Sequence, residues 1–236
     1  NITDATLAGR YETADGFPVI RDWQDPLQYS CQANVLLGIG DTNTHVDKNL
    51  PGPTNMTREP VRPAEVLADT TVDVVAMFER IRAIEPGLPA ANAQSFSGRD
   101  NSAYIASLAY HANTQDIRLD QPGRQSAQTY WVDVLEFQNL AGRTQNQYWL
   151  ATKYGGFKVP SGFNPITNAA PIPAALWNSS GENLAAGYPR PDNFFPARDA
   201  ANFGVVEFVL RVTKVCVHIL RAGHGRYGEQ RRRRDS

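Results

Sequence analysis

The chain has 236 residues, 42% hydrophobic and 20% charged, which is enough for one large domain with a packed core. Its net charge of −1 excludes bulk electrostatic attraction to nucleic acid or to a membrane surface. A membrane helix needs roughly 18 consecutive apolar residues; the nearest approach, Phe203 to Leu220, is interrupted by Glu207, Arg211 and Lys214.

Residues 1–30 are polar, with Asp15-Gly16 and Asp25-Pro26 as turn signals, and read as a surface approach to the first strand. That strand is expected over 33–40. Val35, Leu36, Leu37 and Ile39 form a short apolar run, the pattern of a strand buried on both faces of a parallel sheet. A loop rich in Pro, Asn and Thr follows at 47–63. The spacing of Val66, Leu67, Val74, Val75, Phe78 and Ile81 predicts one helix over 64–84, opened by Pro63 and stopped by Pro86-Gly87. A second helix is expected over 103–114, capped by Asp100, Asn101 or Ser102, with Tyr104, Ile105, Leu108, Ala109 and Ala112 on its apolar face.

Thr129 to Phe137 is rich in aromatic and β-branched residues and predicts the second strand. A short helix is expected over 146–154, ended by Gly155-Gly156 with the first glycine in a left-handed cap. Residues 157–198 then read as a long insertion rich in Pro, Gly, Asn and Ser, interrupted by a weak strand around Asn193 to Phe195. A last helix or strand is expected from Ala197. Strands alternating with helices imply an α/β fold with a parallel sheet.

The chemistry is expected where the first strand ends. Ligands of open α/β sheets bind at the carboxyl ends of the strands, and Asp41 stands there, followed by Thr42 and Asn43. Asp41 is the first candidate, either as a hard-cation ligand or as a turn acid that satisfies loop amides. Asp41, Asn43, His45 and Asp47 alternate, but an EF-hand loop needs Gly sixth and Glu twelfth, and here those positions are Val46 and Gly52. Gly38-Ile-Gly40 gives the competing reading of a Rossmann-like enzyme approaching a nucleotide or methyl donor, although the third glycine of that pattern is replaced by Asn43.

No histidine has zinc-ligand spacing, and no serine lies in a nucleophile elbow. Asp133 reads as a residue facing solvent or capping a neighbouring loop. Trp131, Tyr148, Trp149 and Tyr154 read as packing residues. The aromatics of the insertion, Phe157, Phe163, Trp177, Tyr188, Phe194 and Phe195, suit a contact surface and equally a loop stapled to its own domain. The two cysteines, Cys31 and Cys216, define no disulfide framework and read as unpaired thiols. Arg231 to Arg234 read as a solvated basic end. The chain begins at Asn1 without Met or a visible signal peptide, as a processed chain or a fragment would.

Several segments together carry a family resemblance. They are Cys31-Gln-Ala-Asn-Val-Leu-Leu-Gly-Ile-Gly-Asp-Thr42, the segment from Ser102 to Arg118, Asp120-Gln-Pro-Gly-Arg124, and Gln128-Thr-Tyr-Trp-Val-Asp-Val-Leu-Glu136. Asn146-Gln-Tyr-Trp-Leu-Ala-Thr-Lys-Tyr-Gly-Gly-Phe157 and Pro191-Asp-Asn-Phe-Phe195 complete the set. Over residues 17–203 the chain resembles the PilY family of type IV pilus biogenesis proteins and tip adhesins. The first segment resembles the strand of a von Willebrand factor A domain that ends in Thr-Asp-Gly, with Gly40 and Thr42 in place of the usual Thr and Gly.

The resemblance implies a von Willebrand factor A-like domain, of which this chain is the later part, in a large exported protein whose C-terminal propeller is absent here. The domain would occupy 31–210 with the insertion at 157–198, between an approach segment at 1–30 and a basic tail at 211–236. It implies a non-enzymatic assembly or adhesion module at the cell surface, pilus or outer membrane. Its partners would be pilins, minor pilins or a host-surface ligand, with no nucleic acid and no membrane span. A Ca2+ or Mg2+ ion would be held by Asp41 with Thr42 and Asn43 as supporting oxygen donors. The Asp-x-Ser-x-Ser loop of metal-binding A domains does not occur in this sequence. From about Val205 the tail leaves the family pattern, as a frameshifted reading-frame end would. A third expectation is therefore an incomplete product that unfolds without cooperativity.

Overall fold

The computed structural model of the chain describes residues 25–42, 47–57, 59–91, 101–135, 146–184 and 187–197. The chain divides into two compact units, 1–32 and 33–236. Of the first, residues 25–32 form a turn in which Asp25 Oδ1 accepts from the Leu27 amide at 2.9 Å and Tyr29 O accepts from the Gln32 amide at 3.0 Å. The Cys31 thiol is free and exposed; Cys216 and the basic tail lie outside the described residues.

The second unit is an α/β arrangement. In chain order it runs β1 (Asn34–Gly40), α1 (Ala64–Ala68), α2 (Val74–Ile84), α3 (Tyr104–Thr114), β2 (Ala127–Asp133), α4 (Gln147–Gly156), a 3-10 turn (Ala174–Leu176) and β3 (Phe194–Pro196). The strands form one parallel sheet in the order β1-β2-β3. Gly38 pairs with Trp131 and Trp131 with Phe194. Each connection passes through helix, as parallel neighbours require.

The expectation for the first strand holds in place and fails in burial. β1 is an edge of the described sheet, and Val35, Leu36, Leu37 and Ile39 are 38%, 54%, 44% and 60% exposed. An apolar run cannot by itself tell a central strand from an edge strand, because the pattern records affinity for a neighbour and not its presence.

The single helix expected over 64–84 is two. Asp69 Oδ1 accepts from the Thr71 amide at 2.9 Å in a local turn. Asp73 then caps α2, its Oδ1 accepting from the amides of Val75 and Ala76 at 3.0 and 2.9 Å. Leu67, expected on the buried face, is 65% exposed. α2 buries Val74, Met77, Phe78, Ile81 and Ile84, a helical stripe.

α3 begins where expected. Of its expected caps, Ser102 Oγ accepts from the Tyr104 amide at 3.2 Å, Asn101 points elsewhere, and Asp100 lies outside the described residues. Its buried side carries the small residues Ala106, Ser107 and Ala109 beside Tyr110, and Ile105 and Leu108 are only partly buried. Small residues let α4 come close. Gly155, expected to end α4, lies inside it because Ala109 and Thr129 press on it: a Cβ there would sit 2.7 Å from Ala109 Cβ and 2.8 Å from Thr129 Cβ. The helix ends one residue later, with Phe157 extended.

The core lies among α2, α3 and α4 and is heavily aromatic. Tyr110 meets Tyr154 edge-on at 5.9 Å, and Trp149 meets Trp177 at 5.7 Å. Phe157, Trp177 and Phe194 of the long insertion are buried, so these aromatics staple the loop to its own domain. Phe163 and Phe195 are half-buried, and Tyr188 is exposed, at 38%. A buried ion pair crosses the core: Lys153 Nζ donates to Glu85 Oε2, which also accepts from Tyr154 Oη at 2.6 Å. The ammonium lies 4.1 Å from the Trp177 ring centroid.

Candidate functional site

The carboxyl ends of β1 and β2 are tied together by the first three residues of the segment that becomes α4. Asn146 Nδ2 donates to Asp133 Oδ2 at 2.8 Å. Its Oδ1 caps the helix, accepting from the amides of Tyr148 and Trp149 at 3.0 and 2.9 Å. Gln147 Nε2 donates to the Thr42 carbonyl at 3.2 Å. Tyr148 stacks flat on Trp131, with ring centroids 3.7 Å apart and planes 10° off parallel. Each strand end thus holds one side chain of the helix start, and the middle of β2 holds the third.

Asp133 is fully buried. Its Oδ1 accepts from the Leu135 amide at 3.0 Å, which turns the chain sharply with Leu135 at φ 55°. Burial raises its pKa above the usual carboxylate value, the bonds from Asn146 and Leu135 pull it back, and Asp41 raises it again. Asp133 therefore caps its neighbours and does not face solvent.

Asp41 is half-buried at the end of β1. Thr42 is buried, and its carbonyl accepts from both Asn101 Nδ2 at 2.6 Å and Gln147 Nε2. Asn43 and His45 lie outside the described residues. Among the described residues no group of three or more His, Cys, Asp or Glu side chains is placed to hold a metal ion. Of the expected set, the described residues supply the Asp41 carboxylate and the Thr42 carbonyl, which already accepts two amide hydrogen bonds. Gly38 serves a packing role: a Cβ there would lie 2.0 Å from Cζ3 of Trp131. The indole covers the strand where a cofactor loop would have to be open, and Trp131 Nε1 donates to Gly40 O at 3.3 Å.

Beyond Thr42 the chain returns at Asp47 and forms a second polar cluster. Glu59 Oε1 accepts from the amides of Asp47 and Lys48 at 3.0 and 2.9 Å, and Asp47 Oδ2 accepts from the Ser102 amide at 2.9 Å. Burial is the main cause that raises the Asp47 pKa; Ser102 opposes it, and the nearby Glu59 charge adds to it. A cavity of about 440 Å³ opens between this segment, α3 and the start of α4. Tyr148 lines it, and its phenol is pushed up to about 12 by burial and then by Asp47, Asp41 and Asp133. Among the described residues, three carboxylates therefore bear on the Tyr148 phenol.

Asn146 could have been found from the sequence, since Asn before a helical run is an N-cap signal. Gln147, Asn101 and Glu59 carried no local signal, because their partners are far away in the chain.

Compared with known proteins, the chain is 44% identical over 238 aligned residues to a type IV pilus biogenesis factor PilY1 homolog of Xylella fastidiosa (strain Temecula1 / ATCC 700964). The match covers 95% of this chain and includes both strand ends and the helix start that joins them. The chain is PilY-like. The PilY-like chain spans 19% of the length of that relative. No protein-family model and no solved structure matches it. Among its described residues no helix is long and apolar enough to cross a membrane.

Proposed function

We propose that this PilY-like chain is a non-enzymatic recognition module of a type IV pilus biogenesis protein, exported and displayed at the cell surface or on the pilus. The observation that carries the reading is the 44% identity to a pilus biogenesis factor along nearly the whole chain. The arrangement of the strand ends supports it: a rigid, negatively charged platform in which the acids nearest the chain reversal cap amides and position neighbours. The partner is a pilin, a minor pilin or a host-surface ligand.

In this reading the sheet is the later part of a von Willebrand factor A-like domain running over 31–210, flanked by an approach segment and a basic tail. The exposed apolar residues of β1 are where the remainder of such a sheet would pair. A Ca2+ or Mg2+ ion sits at Asp41 beside Thr42 and Asn43, with water and the partner completing its shell. Thermal unfolding of the purified chain with each ion and with a chelator tests this part. A transition raised by either ion supports it, because a ligand of the native state alone stabilises that state; a transition indifferent to both removes the ion.

The main test is genetic. Deleting the matching segment from the PilY1 homolog of Xylella fastidiosa should reduce surface pili and pilus-dependent attachment. Wild-type piliation and attachment after the deletion would sink the reading. The enzyme alternative finds no support at Gly38, which lies under an indole ring.

A further inference from the structure

We infer that the cavity between α3, the start of α4 and the 47–60 segment receives a lysine side chain of a protein partner. The inference rests on the recognition reading only in assigning the ligand to a protein; the chemistry of the cavity stands on its own.

Its wall has two characters. Leu50, Ile105 and Leu108 contribute apolar surface, and the Tyr148 ring adds to it. Asp47 and Glu59 are the acidic residues of the lining, and Asn49 and Gln147 are its amides. No basic residue lines it among the described residues. Lys48, next to Asp47, is already committed: its Nζ donates to Thr57 O at 3.1 Å and lies 3.9 Å from Glu59 Oε1. It offsets one carboxylate of the two. Asp41 and Asp133 add to the negative field felt at Tyr148.

The second observation is independent of the acids. Gln147 is 1% exposed, and its Oε1 is buried without a hydrogen-bond partner among the described residues. The orientation of the amide is set by its Nε2, which donates to Thr42 O, so an acceptor and not a donor is left over. Asn49 Oδ1 is likewise buried without a partner. A buried acceptor left unsatisfied carries a desolvation penalty, and a donor entering the cavity removes it.

A primary ammonium on an aliphatic stem matches both characters. It offers three donors and no acceptor, and its four methylenes suit an apolar wall. A guanidinium suits the site less well, because its planar fork seeks both oxygens of one carboxylate. Here Glu59 Oε1 already accepts two amides and Asp47 Oδ2 one. The volume of about 440 Å³ accommodates one such side chain with room for water.

The test titrates the purified chain with Nα-acetyl-lysine methylamide, following the methyl resonances of Ile105 and Leu108 by NMR. Nα-acetyl-norleucine methylamide, which keeps the stem and lacks the charge, and calcium chloride are titrated in parallel. Saturable shifts with the lysine compound, and none with norleucine, are expected. Asp47→Asn should weaken binding about tenfold, the loss of one charge-assisted hydrogen bond. Equal response to norleucine would reduce the site to an apolar hollow, and no response to lysine would remove it. Tighter binding of calcium at the same resonances would make it a metal site instead; either of these last results also overturns the inference. Should Asp47→Asn fail to fold, the comparison of ligands on the parent chain still decides. Deleting the segment from the relative reads out the pilus role separately, so each reading can fail while the other stands.

Discussion

Replacing Gly155 by alanine sets two well-understood effects against each other. Gly155 lies within α4, and alanine at such a position favours the helix by about 1 kcal/mol. Packing opposes it. The added Cβ would fall 2.7 Å from Ala109 Cβ and 2.8 Å from Thr129 Cβ and Oγ1, where carbon atoms rest at roughly 3.5–4.0 Å. Neither neighbouring Cβ can rotate away, since each is fixed to its own backbone. Relief requires α4 to move off α3, off β2, or off both. Overpacking of this kind costs about 1–3 kcal/mol, so the net effect is a loss of about 1 kcal/mol once the helix gain is subtracted. For a chain of this size that lowers Tm by about 2–4 °C. Urea and thermal unfolding followed by circular dichroism would measure it. Ala109→Gly removes the contact with one of the two neighbours but itself costs α3 about 1 kcal/mol of helix propensity, so the test is the double-mutant cycle, in which the two changes together should cost less than the sum of each alone. A Gly155→Ala chain as stable as its parent, or more stable, would show that helix propensity decides and that the close approach is not tight.

Gly38→Ala should push the Trp131 indole off Tyr148, since the new Cβ would lie 2.0 Å from the ring; a loss of about 1–3 kcal/mol and a red-shifted tryptophan emission are expected, and unchanged emission would contradict the stacked geometry. Glu85→Leu leaves the Lys153 ammonium buried without its partner and should cost about 3–5 kcal/mol. Glu85→Leu with Lys153→Met should be far milder, and equal urea midpoints for the single and double variants would argue against a buried pair. Asp133 has a folded pKa above its unfolded value of about 3.8, so the native state holds the extra proton between the two. Stability contributed by this group falls as pH rises through that window and is level above it. The difference in unfolding free energy between the parent and Asp133→Asn should therefore change with pH only there; a pH-independent difference would refute the shift.

How far the molecule could be read from its sequence depended on the range of each interaction. β1, β2, α3 and β3 were legible because apolar period and aromatic content are local properties. The break between α1 and α2 was present in Asp69 and Asp73, but a continuous run of apolar spacing hid it. Gly155-Gly156 reads as a terminator because glycine has that use most often; the actual use of Gly155, admitting Ala109 and Thr129, depends on elements distant in the chain. Helical spacing puts Ile105 and Leu108 on the core side, whereas α4 approaches the face carrying the small residues and leaves them to wall the cavity. Asp41 was found by its position at a strand end. The amide clamps of Asn101 and Gln147 on Thr42 were not, since no periodicity links residues that meet only after folding.

The parallel sheet also sets the order in which this chain can assemble. Its middle strand, β2, finds one neighbour far upstream in β1 and the other far downstream in β3. Loop-closure entropy must be met before either pairing is rewarded. The α3, β2 and α4 segments, close in sequence and packed through Ala109, Thr129 and Gly155, form the natural early nucleus. β3 arrives only after the long insertion has folded back through Trp177 and Phe194 onto the helices. Until the insertion has folded back, the sheet stays open on the β3 side, and in that interval its unpaired edge is most exposed to pairing with another chain.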